Sequence, residues 1–367
     1  MTRVLFVGYL GRGQTSGMRC AAFQRLGHDV MAIDAGSFWS DSGYLRRRLS
    51  QWTLRGQRID DLNRSVLEKA AKHQPALVWA EKQEYLRPET IECLRSGSVT
   101  TVHYNPDPYF AVAWKRNAIA DESLRLYDAL VVTKRYEMEA YRLHCHGRIL
   151  YSPLGYDPVG HAPPTPQSFS ASGDVVFVGG WEPRRERLLS SALDLTINVS
   201  VWGYGWRVAQ GSRANPLRAL RLGRLTPGRR IYLGAPSRDL DPIIREGEGS
   251  NGEIYEDCYS KVVAGSRIAL GLVRENWPDE HTTRSFEIPA IGGFMLADRT
   301  HEHLELFEEG KEVEYFGSEA EYREKVKFYL ANETTRLRIA RAGHKRCMTS
   351  GYSYDDRIRV VLRELRL

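Results

Sequence analysis

The chain has 367 residues, of which 42% are hydrophobic, so it is long enough for about two domains with separate cores. A formal net charge of +6 is small for this length and excludes the dominant basic surface of a nucleic-acid-binding protein. No apolar run approaches the roughly 20 residues that a membrane span requires. Five widely spaced cysteines without a CxxC pair, and a start (MTRVLFVGYL) without a secretory leader, predict a cytoplasmic protein.

Two similar segments, VLFVG at residues 4–8 and VVFVG at residues 175–179, predict the first strands of two domains. After each, short β-branched runs alternate with helix-like sequence, which is typical of doubly wound α/β domains. The first domain continues through HDVMAI, PALVWA, VTTVHY and DALVVT, and the second through INVSVWG, RIYLG, RIALGLV and GFMLAD. We therefore expect two Rossmann-like domains that face each other across a cleft and bind ligands at the carboxyl ends of their strands.

The predicted boundaries follow the composition. Residues 1–156 form the N-terminal domain, and residues 157–173, rich in Pro, Ser and Gly, form a linker. Residues 174–350 form the C-terminal domain. Residues 351–367 form a C-terminal helix that we expect to pack back towards the N-terminal domain.

The loop after the first strand, GYLGRGQTSG, contains Gly11 and Gly13 before an amphipathic helix. Such a loop lets backbone N–H groups approach a ligand. Ser16 stands where the dinucleotide fingerprint has its third glycine, so a tight turn explains the pattern at least as well as a nicotinamide site does. We expect no cofactor at this loop.

In the second domain, GGWEPRRERLL places three arginines at a helix start, after Gly179 and Gly180. They are Arg184, Arg185 and Arg187. Fixed cations at the positive end of a helix dipole suit a diphosphate. The alternative is a solvated helix face that pairs with Glu182 and Glu186.

The stretch TTRSFEIPAIGGFMLAD places Arg284 and Glu287 on one face of a helix that begins near Thr282 or Thr283. The alternative is a surface ion pair, but the apolar neighbours favour a buried helix. A buried carboxylate needs partners, and both hydroxyls of a ribose would satisfy it.

Residues 255–362 resemble the C-terminal domain of group 1-like glycosyltransferases of the spore-maturation-protein branch, which have the GT-B fold. The elements that carry this resemblance are Arg-x-Phe-Glu at 284–287, the Gly292–Gly293 break, FEEGKEVEYF, FYLAN, and IARAGHKR followed by SYDDR. More weakly, FVGGWEPRRERLL, VWGYGW and SPLGYDPVGHAP are similar to earlier segments of that family.

The resemblance implies a nucleotide-sugar donor and the residues that bind it. Glu287 would bind the donor ribose, and Asp279, eight positions earlier, would contact the sugar. Arg185 would bind phosphate, whereas Gly180 stands where the family usually has an arginine. Together with Arg284, Thr283 and Gly179, these residues form the predicted donor site.

An inverting reaction also requires a base from the first domain, whereas a retaining reaction does not. Asp107 is preferred because it lies between prolines in a rigid loop after a strand, and because a similar aspartate occurs in the resembling family. Its alternative role is to stabilise the turn. His103 and Glu81 are the other candidates, and Lys82, with Gly11 and Gly13, would line the acceptor or cleft loop.

We expect transfer without a metal ion, because arginines and helix N-termini already stabilise the leaving group. The triplet Asp239-Leu240-Asp241 reads as a solvated loop. Residues 144–146, HCH, read as a helix surface, since adjacent helical residues point about 100° apart.

The predicted function is transfer of a sugar from a nucleotide-sugar to a glycan, lipid-linked or protein acceptor, as in polysaccharide biosynthesis. A GT-B-type nucleotide-sugar epimerase and a non-catalytic nucleotide-sugar-binding module are the alternatives. Arginine-rich residues 44–58 and 212–230 suggest peripheral contact with the inner face of a membrane, with solvated helix faces as the alternative. No nucleic acid is expected as a partner.

Overall fold

The computed structural model describes residues 1–39, 50, 52–112, 116–165, 173–206, 238–249, 252–275 and 277–367. These residues form two compact units. The N-terminal unit comprises Met1–Pro153 and Tyr354–Leu367, and the C-terminal unit lies between Leu154 and Ser353. No helix within the described ranges is both long and apolar enough to cross a bilayer.

The N-terminal unit contains a six-stranded parallel sheet with the strand order β2-β1-β3-β4-β5-β6. Its strands are β1 (Arg3–Gly8), β2 (Asp29–Asp34), β3 (Leu77–Glu81), β4 (Thr100–Asn105), β5 (Ala129–Val132) and β6 (Arg148–Tyr151). The five predicted strands are confirmed, whereas β6 was not predicted. Strands β1, β3 and β5 are almost wholly buried, as expected for a sheet covered on both faces.

In the described parts of this unit, the following α-helices lie between the strands in chain order. They are α1 (Thr15–Arg25), α2 (Gln57–His73), α3 (Pro88–Ser96), α4 (Ala118–Ser123) and α5 (Met138–His144). One core packs Leu5, Val7 and Val78 against the buried faces of α2 and α3. The opposite face of the sheet buries Val4 and Phe6.

The C-terminal unit contains a five-stranded parallel sheet with the order β11-β10-β9-β7-β8. Its strands are β7 (Gly173–Val178), β8 (Val199–Trp202), β9 (Ser266–Gly271), β10 (Met295–Asp298) and β11 (Glu314–Phe316). Strands β7 to β10 were predicted, and β11 was not. The predicted strand RIYLG, residues 230–234, lies outside the described residues.

The described helices of this unit are α6 (Pro183–Leu193), α7 (Glu256–Ala264), α8 (Arg284–Ile291), α9 (His301–Leu306), α10 (Glu319–Ala331) and α11 (Glu333–Thr349). Helix α8 is the most deeply placed, since every residue from Ser285 to Ile291 is buried. Gly292 ends it at a φ of 88°, a conformation that glycine adopts without a Cβ penalty. The sequence break at Gly292–Gly293 is therefore a helix C-cap followed by β10.

The last helix, α12 (Tyr354–Leu365), belongs to the N-terminal unit. It repeats apolar residues at helical spacing, so one face is apolar. Tyr354, Ile358, Val361 and Leu362 lie on that face, and they are buried in the same cluster as Val4, Phe6 and Trp79. The chain therefore returns to complete the core of the unit in which it began.

Candidate functional site

In the C-terminal unit, the loops after β7 and β8 pack backbone against backbone. Gly179 N–H donates to Trp202 O at 2.8 Å, and Trp206 Nε1 donates to Gly179 O at 2.7 Å. A Cβ on Gly203 would lie 2.3 Å from Gly179 O, so this contact requires glycine. A Cβ on Gly180 would lie 2.5 Å from the ring of the exposed Tyr204, so a side chain at this position requires that ring to move.

Arg185, in the first turn of α6, is buried beneath these loops with its side chain 2% exposed. It donates to Gly180 O at 2.9 Å and to Leu272 O at 3.2 Å. Its Nε has no hydrogen-bond partner in the described residues, and Glu182 Oε2 lies 3.7 Å away. Burial, and then repulsion by Arg284, lower the pKa of Arg185 to about 10, so the side chain is still charged at neutral pH.

Two further arginines lie close to Arg185. The guanidinium carbons of Arg185 and Arg284 lie 5.3 Å and 5.9 Å from the centroid of the same Phe177 ring. Arg284 Nε is buried and has no hydrogen-bond partner in the described residues. Arg274, whose charge also acts on Arg185, lies over the Trp277 ring at 4.2 Å. Glu182 offsets only one of the three positive charges, so this cluster attracts an anion.

The other two arginines at the start of α6 have different surroundings. Arg184 pairs with the buried carboxylate of Asp298. Although burial opposes the charge of Arg184, its hydrogen bond to Asp298 and the nearby carboxylates together raise its pKa. Arg187 is exposed and lies 3.8 Å from Glu275. The solvated-face interpretation therefore fits Arg187, whereas Arg185 faces the interior.

Helix α8 presents Arg284 in its first turn and Glu287 one turn later, at the predicted spacing. Thr283 is its N-cap, and the backbone O of Thr283 accepts from the N–H groups of Phe286 and Glu287, each at 2.9 Å. Glu287 is buried, at 7% exposure. No hydrogen bond from the described residues reaches its carboxylate, so this buried anion keeps its acceptor capacity.

Among the described residues, the side chain recorded beside the Glu287 carboxylate is His161, whose Nε2 lies 3.7 Å from Glu287 Oε1. His161 belongs to a turn in which Gly160 N–H donates to Asp157 Oδ2 at 2.8 Å. Asp157 N–H donates to His161 Nδ1 at 2.9 Å. Residues 154–165 belong to the C-terminal unit, although the sequence assigns many of them to a linker. Sequence reasoning did not single out His161, although SPLGYDPVGHAP lies among the segments that carry the family resemblance.

A buried chain of hydrogen bonds supports the N-terminal turn of α8. Thr282 N–H donates to Ser285 Oγ at 3.0 Å, and Ser285 Oγ lies 2.7 Å from His303 Nε2. His303 Nδ1 donates to Asp298 O at 2.7 Å. Burial lowers the pKa of His303 to about 4, so the ring is neutral and its Nε2 accepts the serine proton. Asp279, in the loop before α8, is also buried.

In the N-terminal unit, the ends of β3 and β4 border a small pocket. Its lining consists of Lys82, Gln83, Glu84, His103, Asn105, Tyr109, Ala120 and Leu124. Lys82 has a φ of 52° and its Nζ lies 2.5 Å from Asp107 Oδ2. Although burial opposes its charge, the Asp107 carboxylate raises the pKa of Lys82.

His103 is buried at 4% exposure, and burial lowers its pKa to about 4. Its Nδ1 has no hydrogen-bond partner among the described residues. The ring is therefore neutral at physiological pH and retains a nitrogen that can accept a proton.

Glu81 does not fit the role of a base. Arg19 Nε donates to Glu81 Oε2 at 2.8 Å, and Arg19 Nη2 donates to Glu81 Oε1. The guanidinium lies between the rings of Tyr104 and Tyr354, at 4.7 Å and 4.8 Å. Both carboxylate oxygens are committed to a buried ion pair, so we assign Glu81 a structural role.

The glycine loop after β1 forms a tight turn. Gln14 N–H donates to Gly11 O at 3.0 Å, and Gly13 has a φ of 76°. Asp34 Oδ1 accepts from Leu10 N–H at 3.0 Å and from Gly36 N–H at 2.9 Å. Since Asp34 fixes this loop internally, the geometry agrees with the turn interpretation.

Among the side chains that the structure describes, neither motif considered for a metal forms a cluster of ligands. Helix α5 ends at His144, whose Nδ1 donates to Ala140 O at 3.0 Å, and Cys145 is buried beyond the helix. The helix-surface prediction for residues 144–146 is therefore correct only for His144. Asp239-Leu240-Asp241 lies in a 3₁₀ turn in which Leu240 is buried and Asp241 is exposed. No three His, Cys, Asp or Glu side chains in the described parts of the chain could hold a metal ion.

The chain was compared with protein families, with curated sequences and with solved structures. Residues 184–363 match the family model described as glycosyl transferase-like. No curated protein sequence matches the chain.

The solved structures that resemble the chain cover both units. Sucrose-phosphate synthase from Thermosynechococcus elongatus has a TM-score of 0.64 at 14% identity, over 100% of this chain and 99% of that chain. HepE from Anabaena, in complex with UDP and glucose, has a TM-score of 0.61 at 12% identity, over 100% of both chains. A glycosyltransferase from Rickettsia africae has a TM-score of 0.59 at 12% identity, over 99% of this chain and 97% of that chain. The predicted fold, GT-B with two Rossmann-like units, is confirmed.

Proposed function

We propose that this chain is a glycosyltransferase that moves a sugar from a nucleotide-sugar donor to a glycan, lipid-linked or protein acceptor. One observation carries the proposal. Glu287 is a buried carboxylate that receives no hydrogen bond from the described residues, and it lies one helical turn from Arg284, in a cluster with excess positive charge. Buried charges without partners are costly. The Glu287 carboxylate therefore indicates a ligand with hydroxyl donors, and the arginine cluster indicates that the same ligand carries phosphate oxygens.

A nucleoside diphosphate sugar has these features. Two ribose hydroxyls donate to the Glu287 carboxylate, and the diphosphate oxygens accept from Arg185 and Arg284. Gly179, Gly180 and Thr283 bring backbone close to the ligand, and Asp279 contacts the sugar. HepE, which shares the fold, has been crystallised with UDP and with UDP-glucose, and this supports the donor class.

The chemistry follows from where negative charge develops. The bond between the sugar's anomeric carbon and the diphosphate oxygen breaks, and its electron pair stays on the nucleoside diphosphate. Fixed guanidinium groups that are already desolvated stabilise this added charge without reorganisation. We therefore propose that transfer needs no metal ion.

The acceptor reaction involves the N-terminal unit. In an inverting reaction, Asp107 removes the proton of the acceptor hydroxyl as its oxygen attacks the anomeric carbon. His103, neutral and with an unoccupied nitrogen in the described structure, is the second candidate base. Lys82 holds the Asp107 side chain in one orientation. A retaining reaction would need neither base.

Three finer assignments are part of the same proposal. We propose that the chain belongs to the spore-maturation-protein branch of these transferases, on the resemblance of residues 255–362. We also propose a cytoplasmic location with peripheral contact at the inner face of the membrane. Two arginine-rich segments suggest that contact, and residues 212–230, 44–49 and 51 of them lie outside the described residues.

The test measures binding first and turnover second. Thermal shift with UDP, GDP, CMP and dTDP sugars should reveal one nucleotide class that stabilises the protein. The tightest donor is then incubated alone and with candidate acceptors, and products are separated by mass spectrometry. Sugar transfer or slow hydrolysis supports the proposal. An epimer formed from donor alone would make the protein an epimerase, and binding without sugar release under every acceptor would make it a binding module.

A further inference from the structure

His161 lies where it can act on Glu287 although 126 positions separate them in the sequence. Both side chains are buried, at 3% and 9% exposure, and His161 Nε2 lies 3.7 Å from Glu287 Oε1. This distance fits an electrostatic contact rather than a direct hydrogen bond. The two residues thus form a buried pair that no motif predicted.

The tautomer of His161 is set by its own turn. Its Nδ1 accepts the N–H of Asp157 at 2.9 Å, and a ring nitrogen that accepts carries no proton. In the neutral ring, the proton must therefore be on Nε2, the nitrogen that faces Glu287. The His161 ring presents an N–H dipole to the carboxylate whether or not it is charged.

The surroundings hold this ring in place. Its edge meets the Tyr259 ring with centroids 5.9 Å apart, and Ser260 Oγ donates to Gly160 O at 2.8 Å. Asp157 closes the turn through Gly160 N–H. Backbone and side-chain contacts therefore fix the orientation of His161 independently of Glu287.

We propose that His161 is a positioning residue for the ribose. Its Nε2–H attracts Oε1 of Glu287 and selects one orientation of the carboxylate, in which the plane of both oxygens is presented to the two ribose hydroxyls. This inference rests on the proposed ribose-binding role of Glu287. It adds that recognition of the ribose diol requires two residues, one that accepts the hydroxyl protons and one that orients the acceptor.

The experiment compares a nucleotide that has the diol with one that lacks it. Calorimetry measures the dissociation constants of UDP and of 2′,3′-dideoxy-UDP, or of the corresponding GDP pair if GDP is the tighter ligand. The variants are Glu287→Gln, His161→Phe and His161→Gln. Phe keeps an aromatic ring against Tyr259 but has no N–H, whereas the Gln amide places a donor at a reach similar to that of Nε2.

Because hydrogen bonds to a charged acceptor are strong, we expect the wild type to bind the nucleotide with the diol about tenfold or more tighter than the dideoxy nucleotide. Glu287→Gln should remove most of this preference. We expect His161→Phe to reduce the preference by about three- to tenfold and His161→Gln to restore it to within about twofold. The double variant His161→Phe/Glu287→Gln should have the same preference for the diol as Glu287→Gln alone, because His161 acts through Glu287. In turnover, the change should appear in the donor KM and not in kcat.

The failures can be told apart. If Glu287→Gln removes the preference but His161→Phe leaves it at the wild-type value, His161 is structural and the proposed function stands. If Glu287→Gln also leaves the preference unchanged, the ribose assignment itself is wrong. Should His161→Phe not fold, His161→Asn replaces it, since Asn still accepts from Asp157 N–H but is too short to reach Glu287. An unchanged preference in His161→Asn overturns the inference in the same way.

Discussion

Replacement of Glu287 should separate its function from its contribution to stability. Glu287 is buried, and its carboxylate receives no hydrogen bond from the described residues. Replacement of a typical buried polar group removes hydrogen bonds that stabilise the fold. Replacement of Glu287 removes, among the described residues, its contact with His161 at 3.7 Å. Glu287→Gln should therefore leave folding intact and damage binding alone.

The magnitude follows from the lost contacts. Two ribose hydroxyls bound to a charged acceptor contribute roughly 2–4 kcal/mol together, after the neutral amide retains part of the interaction. This corresponds to a loss in donor affinity of about 30- to 1,000-fold. In the absence of ligand, removal of a buried charge should leave the free energy of unfolding unchanged or raise it. A change of about 1 kcal/mol in that free energy corresponds to roughly 2–4 °C in Tm for a unit of this size.

Calorimetry with the best donor and a thermal melt of the free protein measure both quantities on the same sample. Glu324→Gln is the matched control, because Glu324 is exposed on α10, in the same unit. It should change neither quantity. Unchanged donor affinity in Glu287→Gln would refute the ribose assignment. A Tm several degrees below wild type would refute the claim that the carboxylate contributes little to the fold.

Asp107→Asn should lower turnover at saturating donor by about a hundredfold or more while donor affinity stays near wild type, and activity within a fewfold of wild type would remove Asp107 from the mechanism. Activity should survive EDTA, and loss of turnover that manganese restores would contradict metal-independent transfer. The free energy of unfolding should fall as pH drops from about 6.5 to 4, because His103 and His303 become protonated in the unfolded state but stay neutral in the folded state. A pKa of about 4 against 6.5 makes this loss up to about 3 kcal/mol for each ring, and denaturant unfolding of His103→Gln across that range should show a shallower slope.

The strands that sequence reasoning found share one property. VLFVG, DALVVT and RIALGLV are short apolar runs, and such runs become the buried central strands of parallel sheets. Strands β6 and β11 were missed because they have four and three residues, and their sequences, RILY and EYF, include charged or half-exposed positions. They form at the edges of the sheets, where only one neighbouring strand is needed.

The same contrast applies to the site. The three-residue spacing of Arg284 and Glu287 is local, so the helix it implies could be predicted from the sequence. The partners of Glu81 and Glu287 are not local, since Arg19 lies 62 positions from Glu81 and His161 lies 126 positions from Glu287. The tertiary structure shows what the sequence could not: Glu81 forms a buried ion pair with Arg19, and His161 lies beside Glu287.

Helix α12 has a consequence for how the chain is made. Because its apolar face fills the cluster that contains Val4, Phe6 and Trp79, the N-terminal unit lacks part of its core until residues 354–365 leave the ribosome. Synthesis proceeds from the N-terminus at about 5–20 residues per second. The nascent N-terminal unit therefore exposes an apolar surface until α12 packs against it.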